Sequence, residues 1–143
     1  MEAAQTRGGA RGRHVACCVD GAPGDAAAVV VGRALAGPDG RLSVLHVAGR
    51  SPTGAGEGVG DGETRARRLV EAAAQDVAAD ERLILRGAPG PAICRWAEVA
   101  GADILVVTSR HPGRWGMSVL GPVIRHVVDH APCPVLVVRH GEG

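Results

Sequence analysis

The sequence predicts one open α/β domain, in which helices cover both faces of a five-stranded parallel sheet. Five short apolar runs alternate with segments whose apolar residues recur at helical spacing. This alternation is typical of parallel strands joined by right-handed crossovers. The runs are continuous in their apolar character, which indicates strands buried on both faces. The length of 143 residues fits a single domain of this kind.

The first strand is predicted over residues 14–20, and a turn rich in glycine follows it. Asp25 is expected to cap the first helix, because its carboxylate can accept hydrogen bonds from free backbone N–H groups. The second strand is predicted over residues 42–48. The inward face of the first helix is expected to carry Ala27, Val30, Val31, Ala34 and Leu35.

Residues 49–62 are rich in glycine and predict a mobile surface loop. A second helix is expected over residues 63–79, with Arg65, Arg67 and Arg68 in solvent and the third strand following at 82–86. The inward face of that helix is expected to carry Ala66, Leu69, Val70, Ala73 and Val77.

Pro91 suits the first position of a third helix, and the fourth strand is expected over residues 102–107. A polar loop is predicted at 108–116, and the fifth strand at 134–139. The third helix is expected to turn Ile93, Trp96, Ala97 and Ala100 inward, and the last helix Leu120, Val123, Ile124, Val127, Val128 and Ala131.

Charge and composition exclude several classes of function. Lys and Arg number 16 against 15 Asp and Glu, and the aromatic residues are two Trp alone. A balanced charge argues against nucleic acid or an anionic membrane as partner, and no apolar run approaches the ~20 residues of a membrane helix. Residues 1–13 predict a disordered basic tail without the apolar core of a signal peptide. We therefore expect a cytoplasmic protein whose folded domain spans residues 14–140.

No metal site is predicted. The four cysteines have no C-x-x-C spacing, and Cys17 and Cys18 should point to opposite faces of the first strand as small buried hydrophobes. His126 and His130 have a spacing that can bind metal, but no third ligand is evident.

Ligands of open α/β sheets bind beyond the carboxyl ends of the strands, where the strand order reverses. Two segments are therefore candidates for a binding site. The first is Asp20, Gly21 and Ala22 after the first strand, and the second is the stretch 108–121 after the fourth.

Four segments resemble the universal stress protein family. They are Val19-Asp20-Gly21, Leu45-His46-Val47, the run Gly-Ala-Asp-Ile-Leu-Val-Val at 101–107 and the run His-Ala-Pro-Cys-Pro-Val-Leu-Val-Val-Arg at 130–139. The resemblance extends from about residue 14 to residue 140. It implies a doubly wound sheet of the adenine-nucleotide α-hydrolase-like, flavodoxin-like type.

The resemblance also implies a homodimer that pairs through the last strand. An apolar edge strand needs covering, which agrees with this expectation; the alternative is an edge shielded by the chain's own loops. The expected interface residues are Pro134, Val135, Leu136, Val137 and Val138.

Many members of the family bind ATP through Gly-x-x-Gly, nine residues, and then Gly-Ser or Gly-Thr. Glycines let the backbone approach phosphates, and N–H groups at a helix start hold the anion. In this sequence Thr108 and His111 stand at the first two glycine positions, Gly121 keeps the third, and Pro122 replaces the hydroxyl residue. Pro122 fits the first turn of a helix but has neither hydroxyl nor N–H.

The resemblance implies that Asp20 contacts the adenine or ribose side of a nucleotide and that the Val47 backbone contacts adenine. Asp20 also reads as a simple turn residue before Gly21. Arg110, His111 and Arg114 could pair with phosphates by charge, or form a solvated loop face. The full expected nucleotide site is Asp20, Gly21, Val47, Val107, Thr108, Ser109, Arg110, His111, Gly121 and Val123.

Two functions follow from these expectations. The first is a non-catalytic, homodimeric stress-response module with weakened or lost ATP binding, which acts on protein partners and needs no certain cofactor. The alternative is a switch that binds ATP or another adenine nucleotide through Asp20, Val47, Gly121 and the basic loop. An enzyme is not expected, because the chain has no Lys, no Gly-Lys-Ser/Thr loop and no Gly-x-Ser-x-Gly frame.

Overall fold

A computed structural model describes residues 12–49, 59–109 and 121–139, with side chains left out at 59–61. Five parallel strands form one sheet in the order β3-β2-β1-β4-β5, which confirms the predicted fold class. The strands are β1 (His14–Cys18), β2 (Arg41–Ala48), β3 (Glu81–Arg86), β4 (Ile104–Ser109) and β5 (Val135–Arg139). The helices are α1 (Asp25–Ala36), α2 (Val59–Ala73), α3 (Pro89–Ala100) and α4 (Pro122–His130).

The sheet separates two apolar cores. Side chains of α1 and α2 pack on one face with Val15 and Cys17 of β1. Side chains of α3 and α4 pack on the other face with Ala16, and Cys18 contacts this second core. The two cysteines therefore lie on opposite faces, as the strand periodicity predicts.

The predicted inward face of α1 is wrong at three of its five positions, whereas Leu35 packs against the first core as predicted. Ala27, Val30 and Ala34 are exposed, and the buried side is formed by Ala28, Val29, Gly32 and Ala36 instead. Apolar residues occupy every side of this helix, so their spacing does not select a face. Gly32 selects it, because a Cβ there would overlap the Cys17 sulfur.

Several predicted boundaries also shift. Helix α2 begins at Val59, inside the stretch 49–62 predicted to be a loop; residues 50–58 lie outside the described residues. Helix α2 ends at Ala73, before the predicted end at residue 79. Of its predicted inward residues, Ala66, Val70 and Ala73 are buried. The helix α3 starts at Pro89 rather than Pro91, since Pro89 takes the first position that proline favours.

Two further inward faces need correction. Ala100, the last residue of α3, is exposed. On α4 the buried residue is Val127, whereas Val128 is exposed and Val123 is 38% exposed. Leu120 lies outside the described residues.

Strand β4 continues through Thr108 and Ser109, two residues beyond the prediction. Both residues pair with β5, opposite Val138 and Arg139. The pairing explains the extension, because backbone groups in a ladder are satisfied whatever the side chain. The remainder of the predicted loop at 108–116 lies outside the described residues.

None of the helices in the described ranges is long and apolar enough to cross a membrane.

Candidate ligand-binding cleft

A cleft lies where the strand order reverses, between the carboxyl ends of β1 and β4. The end of β2 contributes to it on one side, and α3 and α4 form the opposite wall. The cavity between the described walls measures about 220 Å³. Ligands of open α/β sheets bind at this position in general, so the topology itself makes the cleft the candidate site.

Six residues of the predicted nucleotide site line this cleft. The sequence prediction missed several others, some next to predicted positions and two on α3, because the sequence does not say which helix covers the strand ends. The predicted lining residues are Asp20, Val47, Val107, Thr108, Gly121 and Val123. The missed lining residues are Cys18, Val19, Leu45, His46, Pro89, Ile93 and Ile124.

Four predicted residues do not line the cleft or cannot be placed. Gly21 borders a second cavity on the far side of the β1–α1 turn. Ser109 is buried at the end of β4 and is not part of the wall. Arg110 and His111 lie outside the described residues, as does Arg114 of the basic loop.

The β1–α1 turn carries Asp20 into the cleft, and Asp25 holds that turn. Asp25 is the first residue of α1 rather than its N-cap. The N-cap is Gly24, which makes no side-chain hydrogen bond. The N–H groups of Asp20 and Gly21 donate to Asp25 Oδ2 at 3.1 and 2.7 Å. The N–H of Ala22 donates to Asp20 Oδ1 at 3.1 Å. These bonds fix the turn locally, as side-chain carboxylates often do.

Burial raises the pKa of the Asp25 carboxyl, against the N–H groups that favour its charged form. Asp25 is 5% exposed, and its Oδ1 atom has no hydrogen-bond partner. The turn therefore rests on a buried carboxylate that is only half satisfied.

Strand β2 holds the same side of the cleft. The N–H of Val19 donates to the Leu45 carbonyl at 2.8 Å. His46 Nδ1 lies 2.8 Å from the Val19 carbonyl oxygen. A carbonyl only accepts, so Nδ1 donates this hydrogen bond.

The opposite side is formed by the end of β4 and the start of α4. Thr108 is 7% exposed, and its Oγ1 is buried without a partner. Gly121 caps α4 in an extended conformation, and Pro122 is the first helical residue. Because Pro122 has no N–H, this helix start offers one donor fewer than usual.

The cysteine that lines the cleft is not poised as a nucleophile. Burial raises the pKa of Cys18, and the neighbouring Cys17, Cys94 and Cys133 act in the same direction. Burial also raises the pKa of the Cys17 thiol to about 12. Thiols are reactive as thiolates, so both behave as small apolar side chains at neutral pH.

Within residues 12–49, 59–109 and 121–139, no three His, Cys, Asp or Glu side chains are grouped so as to hold a metal ion. His126 and His130 stack with their ring centroids 4.2 Å apart. Trp96 packs against the second core and contacts the His14 ring edge to face at 5.7 Å. Trp115 lies outside the described residues.

Strand β5 is at one end of the sheet, next to β4. Leu136 is 39% exposed, and Pro134 is exposed, whereas Val135, Val137 and Val138 are half-buried. The five residues predicted to form a dimer interface thus surround a sheet edge with an exposed leucine.

Comparisons with known proteins agree with one another. The model of the Universal stress protein family matches residues 12–139. A protein from Thermus aquaticus described as "Universal stress protein in QAH/OAS sulfhydrylase 3'region" is 36% identical over 107 residues, which are 69% of this chain and 77% of the relative.

Solved structures show the same fold. A universal stress protein in complex with cAMP has a TM-score of 0.62 and 23% identity, covering 90% of this chain and 98% of that one. The universal stress protein from Archaeoglobus fulgidus in complex with dAMP has a TM-score of 0.64 and 18% identity, covering 88% and 97%.

Proposed function

This chain belongs to the universal stress protein family, and we propose that it is a non-catalytic, homodimeric stress-response module whose ATP binding is weakened or lost. It would act in the cytoplasm on protein partners, with no role in binding nucleic acid or membrane. The observation that carries the proposal is the side of the cleft where Thr108 and Pro122 replace two residues of the family's ATP pattern.

Thr108 supports weakened binding through bulk. Its side chain lies in the cleft wall at the end of β4. In the family's pattern this position is glycine, which lets the chain approach phosphates closely. The threonine hydroxyl is buried, so the added atoms bring volume to the wall without an exposed donor.

Pro122 supports weakened ATP binding because it lacks a backbone N–H donor. Phosphates at helix starts are held by backbone N–H groups, and Pro122 supplies none at the first position of α4. Gly121 is retained as the N-cap of α4, but no hydroxyl residue follows it. Among the described lining residues, Asp20 is the one charged side chain, so no cationic side chain of the described wall replaces the lost donor.

A calorimetric titration with ATP, with and without Mg²⁺, tests the proposal after carried-over nucleotide has been excluded. We expect no saturable heat below roughly millimolar ATP, which is a binding free energy of about −4 kcal/mol. Saturable binding in the micromolar range would overturn the loss of ATP binding.

The second candidate function is the adenine-nucleotide switch. It is favoured by the cleft itself, in which Asp20, Val47 and Gly121 are lining residues. Two structures of similar fold contain cAMP and dAMP. This version requires Arg110 and Arg114 to supply the phosphate contacts. An unchanged ATP affinity in R110Q/R114Q would exclude it.

The dimer is proposed through β5. Leu136 is exposed on this sheet edge, and an uncovered apolar edge favours pairing with another strand. Light scattering should give a dimer for the wild-type chain and a monomer for Leu136→Arg. A folded Leu136→Arg variant that remains dimeric would place the interface elsewhere.

A cytoplasmic location agrees with cysteine chemistry. Cys17, Cys18, Cys94 and Cys133 are all free thiols, and unpaired cysteines are usual in a reducing compartment. Fractionation of cells that express the full chain tests this location directly.

A further inference from the structure

The cleft at the carboxyl ends of the strands has apolar walls on both sides. Leu45, Val47 and Val107 line it from strand ends. Ile93 and Ile124 line it from α3 and α4, and all five side chains pack against the second core. The space between the described walls measures about 220 Å³. An engineered apolar cavity of about 150 Å³ is large enough to bind benzene, so this cleft has room for a ring-sized molecule.

Val123 adds apolar surface that the described chain leaves open to water. This residue lines the cleft in the first turn of α4 and is 38% exposed. Pro89 and Ile124 also line the cleft, and both are half-buried. Transfer of such surface from water to an apolar neighbour is favourable and does not depend on direction. An apolar molecule in the cleft therefore gains binding free energy from these side chains.

Both helices that reach the cleft begin with proline, which removes donors for an anion. Pro89 and Pro91 occupy the first and third positions of α3, and neither has an N–H. The N–H of Ala92, at the fourth position, already donates to the Ala88 carbonyl at 3.0 Å. Pro122 removes the first donor of α4. Helix starts bind phosphate through free N–H groups, so these two starts are poorly equipped to hold one.

The described wall also lacks a guanidinium or ammonium group. No Lys or Arg is among the described lining residues, and His46, which lines the cleft, has its Nδ1 in a hydrogen bond with the Val19 carbonyl at 2.8 Å. An ionised group that moves from water to apolar walls without a partner loses hydration free energy that nothing restores. A phosphate group is therefore disfavoured in this cleft, whereas an uncharged polar group does not carry this cost.

We propose that the cleft binds a small uncharged molecule with a ring-sized apolar body, in preference to a phosphorylated ligand that has the same body. This inference rests on the proposed function, in which ATP binding is weakened or lost, and it names the class of ligand that the cleft takes instead. The apolar body packs between the strand ends and the side chains of Ile93 and Val123. An uncharged polar group, such as a hydroxyl, stays in water beside Asp20, which is exposed.

The test is a pair of NMR titrations of the ¹⁵N-labelled full chain, one with benzyl alcohol and one with benzyl phosphate at matched pH and ionic strength. The two probes share the ring and differ in the phosphate. We expect benzyl alcohol to shift the amides of Val19, Val47 and Val107 saturably, with a dissociation constant of roughly 1 mM. Benzyl phosphate should bind at least about tenfold more weakly.

Val123→Trp fills the cleft from a position that is partly in solvent, and it should weaken binding of benzyl alcohol at least about tenfold. Val99→Trp is the matched control, because Val99 is 81% exposed on α3 and lies outside the lining; it should bind as the wild-type chain does. No saturation with benzyl alcohol, equal or tighter binding of benzyl phosphate, or unchanged binding in a folded Val123→Trp variant would each overturn the inference.

The ATP titration separates this inference from the proposed function. Micromolar ATP binding would overturn the proposed function, whatever the benzyl probes do. A chain that binds neither ATP nor benzyl alcohol would overturn this inference alone.

Discussion

The two sides of the cleft differ in how their backbone is held, although each has one buried side-chain oxygen without a hydrogen-bond partner, Asp25 Oδ1 and Thr108 Oγ1. The turn side, formed by Val19, Asp20, His46 and Val47, is held by hydrogen bonds from β2 and α1. On the helix side, formed by Thr108, Gly121, Val123 and Ile124, the Thr108 hydroxyl is buried without a partner and proline opens the helix.

This difference shows that a fold can keep the geometry of a site while the polar groups in that site change. The turn side keeps a preorganised backbone and a carboxylate at the strand end. The helix side keeps the glycine cap and the helix start, which the fold requires, while phosphate donors are reduced. We propose that the requirements of the fold keep the cleft although its contacts to phosphate are weakened.

The largest expected effect on stability comes from truncating a core residue that lines the cleft. Leu45 is fully buried and lines the cleft, so Leu45→Ala should lower the free energy of unfolding by about 2–5 kcal/mol. Urea unfolding measures this, with the 81% exposed Val99 as control. Val99→Ala should change stability by less than about 0.5 kcal/mol, and equal losses in the two variants would contradict the assigned core.

The second largest effect on stability is expected on the helix side of the cleft. A Cβ on Gly90 of α3 would lie 2.8–2.9 Å from side-chain carbons of His126 on α4. Gly90→Ala should therefore cost about 1–3 kcal/mol through overpacking. Adding His126→Ala removes the contacts with Cγ and Cδ2 but keeps the Cβ contact at 2.9 Å, so the double variant should recover part of the loss. A loss that His126→Ala does not relieve would mean that the close contact between these helices is not its cause.

On the turn side, Asp25→Ala leaves the N–H groups of Asp20 and Gly21 without their acceptor. Asp20 and Gly21 are exposed, so water can reach these N–H groups and each lost hydrogen bond costs about 0.5–1.5 kcal/mol, which loss of the buried charge partly offsets. Asp25→Asn keeps an acceptor, so it should be more stable than Asp25→Ala, and amide exchange at Gly21 should be faster in the alanine variant. Equal exchange rates would show that the carboxyl does not hold the turn.

A smaller effect concerns pH. The pKa of Asp25 is higher in the folded chain than in the unfolded one because the carboxyl is buried. The folded chain therefore takes up the proton first, and this group's contribution to stability rises as pH falls through its folded value towards the ordinary value of about 3.9. The wild-type chain should gain stability relative to Asp25→Asn over that interval. A constant difference between pH 7 and pH 4 would contradict the raised pKa.

The sequence predicts the strands well because a parallel sheet requires continuous apolar runs, and β1, β2 and β5 follow them within two residues. It fails on the face of α1, where the contact of Gly32 with Cys17 decides the orientation. Close approach of a helix to a strand leaves no periodic signal. Prediction of the face needs the partner strand.

Prediction of the cleft is limited in the same way, because part of its wall depends on tertiary packing. Asp20, Val47 and Thr108 come from strand ends, which topology brings together, and the sequence identifies them. Pro89 and Ile93 of α3 complete the wall, but the helix that covers a strand end depends on tertiary packing. The sequence predicts Asp25 as an N-cap because Asp favours that position, but its carboxyl instead accepts hydrogen bonds from the preceding turn.

The most direct test of the central claim restores the family pattern on the helix side. The triple variant T108G/H111G/P122S returns two glycines and a hydroxyl to the positions that the pattern specifies, and calorimetry compares its ATP affinity with that of the wild-type chain. Thr108→Ser serves as control, because it reduces bulk without restoring a glycine. We expect the triple variant to bind ATP at least about tenfold more tightly than the wild-type chain. A folded triple variant with no gain, or a wild-type chain that already binds ATP as tightly, would contradict it.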